Sequence, residues 1–415
     1  MLPLDARLLF AARIVRLFAY GFVAVVLVLY LAAIGLDGHR IGLLLSLTLA
    51  GDVVVSLYLT TRADVLGRKR TLLAGAVLMI GAAVVFAVTR DFTLLVLAAT
   101  IGVISPSGNE VGPFLAVEQV ALAHAALGRD RTALFAWYNL AGSFATAAGS
   151  LAGGFLAGLL MKQGFGAATS YRSAIIAYAV LGVGLAIIFT RVSPAIEGER
   201  IARPVRSLFR VEHSRAIVLR LSSLFALDSF AGGLVVQSIV AYWFFRRFGL
   251  SPAALGSLFF GANLAAGVSA LAAARIARRF GLLNTMVFTH LPSNLLLLLV
   301  PLMPTLPLAI AVLLLRFSIS QMDVPTRQAF VIAAVEPAER TAAAGITGVA
   351  RTTGAALAPV IAMPLVASLS LGWVPFVAAG LLKIVYDVAL LRSCRGVRLE
   401  GDLVTVQRDA PKTVE

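Results

Sequence analysis

The chain has 415 residues, of which 60% are hydrophobic and 13% are charged, and its formal net charge is +15. Soluble proteins carry about a quarter charged residues, so this composition excludes an ordinary soluble domain and indicates an integral membrane protein. The positive charge does not indicate nucleic-acid binding, because the basic residues cluster in short gaps between apolar runs. Cys394 is the only cysteine, which excludes an internal disulfide and a cysteine-based metal cluster.

Apolar segments of roughly 20 residues or more, the length that crosses a bilayer, recur along the whole sequence. The first segment is too long for a cleaved signal peptide and is interpreted as a membrane span. The pattern predicts an all-α membrane protein with twelve transmembrane helices, at about residues 8–35, 41–61, 71–89, 92–126, 132–160, 171–191, 215–245, 252–274, 282–303, 305–334, 341–369 and 373–392.

The distribution of lysine and arginine predicts the orientation of these helices. With the N-terminus inside, the cytoplasmic gaps hold 22 of these residues and the outer loops hold six. Cytoplasmic loops of membrane proteins are enriched in basic residues. We therefore expect a multi-pass protein of the inner or plasma membrane with both termini in the cytoplasm.

A long polar gap divides the predicted helices into two sets of six, and it reads "VSPAIEGERIARPVRSLFRVEHS". The sequence therefore predicts an N-terminal six-helix bundle, a central cytoplasmic loop, a C-terminal six-helix bundle and a cytoplasmic tail. Their expected bounds are 1–192, 193–214, 215–392 and 393–415.

Short matches between the two halves predict a parallel repeat, an organisation typical of one large class of carriers. "GRDRTALFAWYN" aligns with "EPAERTAAAGIT", which places Arg131 on Arg340. Carried back without a gap, the same alignment places Glu118 on Arg327. "RIVRLFA" in the first span likewise matches "RLSSLFA" in the seventh. We therefore expect two pseudo-symmetric bundles.

The gap between the second and third helices reads "TRADVLGRKRTL" and joins an acid, a glycine and several bases. Gly67 allows a tight turn that a Cβ would hinder. An acid beside a helix end can accept hydrogen bonds from free backbone N–H groups, which is the role expected for Asp64. The alternative is a charge cluster that serves membrane topology alone.

This loop resembles the signature between helices 2 and 3 of the major facilitator superfamily of secondary transporters. Matching residues are Ala63, Asp64, Gly67, Arg68, Lys69 and Leu72, whereas Thr60, Arg62 and Val65 depart from the pattern, and the second half keeps Gly281 but has Arg278 in place of the acid. The number, grouping and orientation of the helices extend the resemblance to the whole chain. It implies that helices 1, 4, 7 and 10 line a central cavity. It also implies that Asp64, Gly67 and Arg68 brace the inner ends of helices 2 and 11.

The predicted tenth helix carries a polar stripe. "RFSISQMDVPTRQAF" places Arg316, Ser320, Asp323 and Arg327 on one helical face. Asp323 and Arg327 can pair at i,i+4 spacing, and Pro325 is expected to kink the helix. Charged groups at membrane depth are functional candidates by default. We therefore expect the two arginines to contact substrate and Asp323 to carry a proton, the alternative being a neutralised pair that orients helices.

The predicted fourth helix contains two glycines and two prolines between residues 105 and 113, within "ISPSGNEVGPFLAVEQ". They predict a broken helix around Asn109 and Glu110. Unwound helices at mid-depth often hold binding sites, so Asn109 is a candidate for the substrate cavity and Glu110 for proton coupling. The alternative is an irregular segment packed against protein.

Other acids at membrane depth receive separate interpretations. Glu118 is expected to bridge to Arg327 and close a cytoplasmic gate. Asp228 has no basic residue three or four positions away, and an unpartnered carboxylate suits a proton carrier; the alternative is hydrogen bonding to serine or backbone. Lys383 and Asp387, at i,i+4 spacing on the twelfth helix, are interpreted as a structural pair.

The remaining candidates for the substrate cavity are one arginine and two tyrosines. Arg351 lies between stretches rich in glycine and alanine, which allow close helix approach. It is expected to bind an anionic substrate or Asp52. Tyr20 and Tyr138 are the aromatic residues expected to contact substrate, whereas the other aromatic residues are interpreted as packing or interface residues.

The sequence lacks the motifs that common classes of enzyme require. The sequence contains no Walker loop and no Gly-x-Ser-x-Gly elbow, and its four histidines show no metal-ligand spacing. We therefore expect no catalytic residue, no cofactor and no bound metal.

The leading functional hypothesis is alternating-access secondary transport by a monomer in the lipid bilayer, with proton-coupled export (antiport) of a small amphipathic compound or metabolite. The export direction rests on the prominence of the loop signature in drug-exporting relatives, an analogy at the level of the fold. One alternative is uptake or exchange of a small organic anion through Arg316, Arg327 and Arg351. Another is a non-transporting receptor or lipid scramblase on the same scaffold.

Overall fold

The computed structural model describes residues 3–125, 131–197 and 211–397. Most of the predicted central loop and tail lies outside these ranges. The described residues form sixteen α-helices: α1 (Leu4–Ala33), α2 (Gly38–Leu66), α3 (Arg68–Val88), α4 (Phe92–Ile101), α5 (Phe114–Ala125), α6 (Arg131–Lys162), α7 (Ala167–Arg191), α8 (Arg215–Gly233), α9 (Gln237–Phe248), α10 (Pro252–Phe280), α11 (Leu282–Leu299), α12 (Leu306–Ser320), α13 (Asp323–Ala333), α14 (Arg340–Ala356), α15 (Pro359–Ala367) and α16 (Val374–Cys394).

These helices make twelve membrane crossings. Eleven helical stretches in the described ranges are long and apolar enough to span a bilayer, and the shorter apolar α4 belongs to the remaining crossing. Four crossings consist of two helices each, namely α4–α5, α8–α9, α12–α13 and α14–α15. The predicted all-α membrane architecture is therefore confirmed.

The fourth crossing is interrupted between Ile101 and Phe114, where the sequence predicts a break. Gly108 and Gly112 have φ angles of +72° and +81°, which residues with a Cβ rarely adopt. The backbone N–H of Gly112 donates to Asp52 Oδ1 at 2.5 Å. A side chain of α2 thus replaces a hydrogen bond that a continuous helix would have supplied.

The tenth crossing differs from the predicted kink at Pro325. α12 ends at Ser320 and α13 begins at Asp323, two residues before the proline. In the first turn of a helix the backbone N–H has no intrahelical acceptor, so Pro325 is tolerated there. The interruption therefore falls at Gln321 and Met322. It places Asp323 at the N-terminus of α13, where negative charge is favourable.

The helices form two bundles, α1–α7 and α8–α16. In the first bundle α1 packs against α6 and α7, and in the second α8 packs against α14 and α11 against α16. Because each bundle makes an even number of crossings, both termini and the connection between the bundles lie on one side of the membrane. We call this the terminal side and the opposite one the far side.

Close contacts join the bundles toward the far side. α6 packs against α10, and α2 packs against α14 and α15. A Cβ added to Gly154 of α6 would lie 2.3 Å from a backbone oxygen of α10. Val360 N donates to Ser46 Oγ at 3.0 Å, and Ser238 N donates to Pro106 O at 3.1 Å. These residues lie in the halves of their crossings nearer the far side, so the far side is closed.

Candidate functional site

A group of charged side chains inside the first bundle, called the first-bundle cluster, consists of Arg13, Arg16, Glu110 and Glu118. Arg16 is fully buried, and its Nη2 lies 2.9 Å from Glu110 Oε1 and 2.7 Å from Glu118 Oε2. Arg13 Nη1 lies 2.5 Å from Glu110 Oε1. Tyr138 donates to Glu118. Two cations and two carboxylates neutralise each other, as buried charges require.

Three structural elements position the first-bundle cluster at the edge of open space. α1 presents the two arginines one turn apart, the interruption of the fourth crossing carries Glu110, and α5 carries Glu118. Asn139 of α6 accepts from Arg13 Nη2 at 3.1 Å. The side chain of Glu110 is 17% exposed, and Asn109 and Asn139 are exposed. The cluster therefore borders open space on this face.

A second group lies inside the second bundle and is called the second-bundle cluster; its members, each at most 6% exposed, are Asp228, His290, Asp323, Arg327, Lys383 and Asp387. Arg327 Nη1 lies 3.2 Å from Asp228 Oδ2 and 2.9 Å from Asp323 Oδ2. Lys383 Nζ lies 2.6 Å from Asp228 Oδ1. His290 Nδ1 lies 2.9 Å from Asp387 Oδ1. Three carboxylates thus share two cations and one histidine.

Two expectations about this cluster are wrong. Asp228 does have basic partners, because Arg327 and Lys383 reach it from 99 and 155 residues away in sequence. Lys383 and Asp387 do not pair in the described contacts. Lys383 binds Asp228, whereas Asp387 binds His290 and a neighbouring amide of α11. Spacing along α16 permits the pair, but partners on α8 and α11 lie nearer.

One position in each cluster is matched by the sequence repeat, with its charge exchanged. Glu118 and Arg327 occupy matching positions, and each binds an opposite charge on the first crossing of its own bundle, Arg16 or Asp228. The expected Glu118–Arg327 bridge does not form in this conformation, in which each group is paired within its own bundle, and its role in a closed gate stays a prediction. The predicted Asp323–Arg327 pair is confirmed.

Two arginines beside the second-bundle cluster have no carboxylate partner among the described residues. The Nε atoms of Arg316 and Arg351 are buried and have no hydrogen-bond acceptor. Asp228 and Asp323 attract both guanidinium groups through space, and Arg327 repels Arg351. Both side chains are half-buried. Their positive charge is therefore available to a ligand.

The tyrosines and Asp52 are engaged within the first bundle. Tyr20 is fully buried and donates to Val111 O at 3.1 Å. Tyr138 is also fully buried and donates to Glu118. Protein encloses both tyrosines in this conformation, so neither reaches open space where substrate would enter. Asp52, one expected partner of Arg351, instead accepts hydrogen bonds from α2 and from the interrupted fourth crossing.

The loop between α2 and α3 is tied to the segment that follows α7. Gly67 has a φ of +98°, which confirms the predicted tight turn. Glu197 accepts from the backbone N–H groups of Arg68 and Lys69, at 2.6 and 3.1 Å, and so caps α3. The side chain of Arg68 donates to the backbone beside Glu197. The side chain of Asp64 lies outside the described part of the chain, and the bracing of helix 11 stays a prediction.

Sequence reasoning missed four buried polar side chains. Arg13 and Arg16 lie one turn apart in an apolar span, and that spacing marks one helical face. His290 and Asn294 also lie one turn apart, on α11. Their spacing likewise marks one face of an apolar span, although it is not a metal-ligand spacing.

Exposed polar side chains outline a gap between the bundles. Asn109, Asn139 and Thr352 have exposed side chains, and exposure of polar groups to lipid at membrane depth would be costly. They come from both bundles. Since the far side is closed, we infer that the gap opens toward the terminal side.

The sequence profile of the Major Facilitator Superfamily matches residues 9–359. The chain belongs to the Major Facilitator Superfamily. Within this superfamily, an uncharacterized membrane protein of Saccharomyces cerevisiae is 31% identical to it over 424 residues, covering 95% of this chain and 94% of the relative.

Solved transporter structures share the fold at low sequence identity. The nucleoside transporter NupG is 14% identical with a TM-score of 0.73, covering 94% of this chain and 98% of its own. The D-xylose-proton symporter is 15% identical with a TM-score of 0.71, covering 93% and 96%. The human organic anion transporter MFSD10 is 18% identical with a TM-score of 0.58, covering 94% and 100%. This Major Facilitator Superfamily chain is therefore a multi-pass membrane transporter and not an enzyme, and the predicted twelve-helix fold in two bundles is confirmed.

Proposed function

We propose that this transporter moves a small organic anion by alternating access, and that Arg316 and Arg351 hold the negative charge of the substrate. The observation that carries the proposal is the absence of a carboxylate partner for either guanidinium group in the described structure. Every other charged side chain of the two clusters has an oppositely charged neighbour or a histidine.

The charge balance supports an anionic substrate. The first-bundle cluster is neutral, with two arginines and two glutamates. Around the second-bundle cluster, four cations face three carboxylates when His290 is neutral; the cations are Arg316, Arg327, Arg351 and Lys383. Excess charge at membrane depth is expensive, and a bound anion supplies the missing negative charge.

The chemistry of arginine narrows the class of anion. A guanidinium group offers planar, paired N–H donors that match the oxygens of carboxylates, phosphates and sulfonates. Arg316 and Arg351 both lie within electrostatic reach of Asp228 and Asp323, which supports binding of a single anionic head by the two groups together. The uncharged remainder of the substrate would then lie in the gap near Asn109 and Asn139.

The arrangement of contacts between the bundles supports alternating access. Contacts close the far side, and the gap opens toward the terminal side. The excess of basic residues on the terminal side supports a cytoplasmic location for that side, so this conformation would face inward. Export, a monomeric state and an inner or plasma membrane remain predictions from the sequence. A receptor or scramblase on this scaffold would show no solute flux.

A thermal-shift experiment tests the anion proposal. A ligand that binds only the folded protein raises its melting temperature, by an amount equivalent to about 2.7 kcal/mol at a hundredfold excess over Kd. Methane-, benzene- and naphthalenesulfonate are compared with the neutral sulfonamides of the same skeletons. We expect stabilisation by at least one sulfonate and by no sulfonamide.

Variants assign that stabilisation to the two arginines. Arg316→Gln and Arg351→Gln should each abolish the sulfonate effect, because each removes one guanidinium group from the gap. Arg90→Gln, which removes an exposed arginine from a far-side loop, should retain it. Equal stabilisation by sulfonates and sulfonamides, or unchanged sulfonate binding in both gap variants, would contradict the proposal.

A further inference from the structure

His290 lies between two carboxylates of the second-bundle cluster. Its Nδ1 lies 2.9 Å from Asp387 Oδ1, and its Nε2 lies 3.8 Å from Asp228 Oδ1. Asn294 Nδ2 lies 3.2 Å from His290 Nδ1 and 2.8 Å from Asp387 Oδ2. The imidazole packs edge-on against Tyr386, with ring centroids 5.9 Å apart. Contacts on several sides thus hold the ring with one nitrogen toward each carboxylate.

Neither neutral tautomer of His290 directs an N–H at both carboxylates. With hydrogen on Nδ1, that nitrogen donates to Asp387, but the lone pair of Nε2 faces Asp228. With hydrogen on Nε2, the lone pair of Nδ1 faces Asp387 at 2.9 Å. Only the imidazolium form directs an N–H at both carboxylates, as a hydrogen bond to Asp387 and as a charge contact to Asp228 at 3.8 Å. The geometry therefore provides a place for one additional proton.

The carboxylates of the cluster favour a positive charge on His290. The cluster's three carboxylates and two cations leave one negative charge when His290 is neutral. A proton on His290 adds a positive charge between two carboxylates without breaking an existing ion pair. Together with Arg316 and Arg351 it leaves a net positive charge around the cluster, which a bound anion reduces.

Most of the other titratable groups around His290 are paired with an opposite charge, and the Asp387 carboxylate hydrogen-bonds only to His290 and Asn294 in the described structure. These groups come from three other helices: Asp387, Lys383 and Tyr386 from α16, Asp228 from α8, and Arg327 and Asp323 from α13 through Asp228. α10 and α12 bring no titratable side chain into hydrogen-bond or ion-pair contact with the imidazole among the described residues. A proton added to Asp228 or Asp323 would have to displace a cation from a carboxylate oxygen. Asp387 has no cation partner in the described part of the chain, and a proton added there lies on its 2.9 Å contact with His290 Nδ1, which is the same site.

We infer that His290 binds the coupling proton and that this proton strengthens anion binding at Arg316 and Arg351. When His290 is neutral, the net negative charge of the cluster attracts both arginines and competes with the substrate. Protonation removes that competition, and by linkage the anion favours protonation by the same factor. Proton and anion then cross together, unlike the antiport expected from the sequence. The coupling rests on the proposed anionic substrate, whereas the proton site stands independently of it.

Histidine NMR tests the proton site without any ligand. The purified full chain is labelled at the histidine Cε1 positions and titrated between about pH 5 and pH 8, the range in which histidine changes charge. We expect one of the resonances that titrate in wild type to be absent from His290→Gln. If that variant does not fold, replacing His39, His124 and His213 by glutamine leaves His290 as the only histidine. A His290 resonance that keeps one protonation state throughout overturns the proton site.

Sulfonate binding at two pH values tests the coupling. Sulfonates stay ionised throughout, so any pH dependence of naphthalenesulfonate binding belongs to the protein. We expect binding about fivefold or more tighter near pH 5.5 than near pH 8 in wild type, and no such change in His290→Gln. His39→Gln, which alters an exposed histidine, should behave as wild type. Equal pH dependence in His290→Gln overturns the coupling. If the wild-type protein does not bind naphthalenesulfonate at either pH, the proposed anionic substrate is wrong. The NMR titration still tests the proton site in that case.

Discussion

The closed far side depends on the close approach of α6 and α10 at Gly154. The substitution Gly154→Ala, which adds one methyl group, tests this dependence. In Gly154→Ala the new Cβ would lie 2.3 Å from Pro252 O and 2.7 Å from Gly256 Cα. Ordinary carbon contacts begin near 3.5 Å, so α6 and α10 must separate by about 1 Å. The hydrogen bond between Val360 and Ser46, now 3.0 Å long, would lengthen beyond a useful distance.

The expected effect is a shift in the balance between the two conformations. Each hydrogen bond contributes about 0.5–1.5 kcal/mol net, and two far-side hydrogen bonds join the bundles through backbone N–H groups. Their loss therefore costs the closed far side about 1–3 kcal/mol. Since 1.4 kcal/mol corresponds to a factor of ten, the population open to the far side should rise about five- to a hundredfold.

Cysteine accessibility measures this shift. In a Cys394→Ser background, which has no other cysteine, Ser150→Cys places a thiol at the buried far-side interface and Asn139→Cys places one in the gap. A membrane-impermeant maleimide should label position 150 faster from the far side, and position 139 more slowly from the terminal side, when Gly154→Ala is present. Gly184→Ala is the control, because a Cβ there has no neighbour within 4 Å. Unchanged labelling at both positions would refute the reasoning.

Three further substitutions test the ion pairs and caps. Glu118→Gln should lower the melting temperature strongly, because it removes one of the two carboxylates that pair with buried Arg16. Removal of one partner of a buried ion pair typically costs about 3–5 kcal/mol of stability. The double variant Arg16→Glu, Glu118→Arg exchanges the two charges and should recover part of the lost stability. The double variant Glu118→Arg, Arg327→Glu should be no more stable or active than either single variant, since each residue pairs within its own bundle. Recovery of stability or transport in the double variant would support the Glu118–Arg327 bridge expected from the sequence. Glu197→Ala should lower the free energy of unfolding by about 1 kcal/mol, because α3 loses its cap. Thermal unfolding measures this loss, and Glu336→Ala at an exposed position is the control. Equal losses of stability in the two variants would exclude the cap.

Local patterns in the sequence predicted the parts of the structure that depend on local chemistry. The glycines and prolines between residues 105 and 113 predicted the break in the fourth crossing, because their backbone preferences act within a few residues. The i,i+4 spacing of Asp323 and Arg327 predicted their pair for the same reason.

Partners chosen by packing between distant helices could not be predicted in this way. Asp228 meets Lys383 from 155 residues away, and Arg16 meets Glu118 from 102 residues away. The repeat correctly matched Glu118 with Arg327, but a match of positions does not show whether two groups contact each other or hold equivalent places. Here they hold equivalent places in separate bundles.

Counterflow in proteoliposomes tests the central claim most directly. Purified protein is reconstituted into vesicles loaded with unlabelled naphthalenesulfonate, and entry of the labelled compound is followed. We predict exchange that saturates with concentration, that unlabelled sulfonates but not sulfonamides inhibit, and that Arg316→Gln and Arg351→Gln abolish while Arg90→Gln does not. Exchange that persists in both gap variants, or wild-type vesicles that exchange the neutral sulfonamide and not the sulfonate, would contradict an anion held by these two arginines.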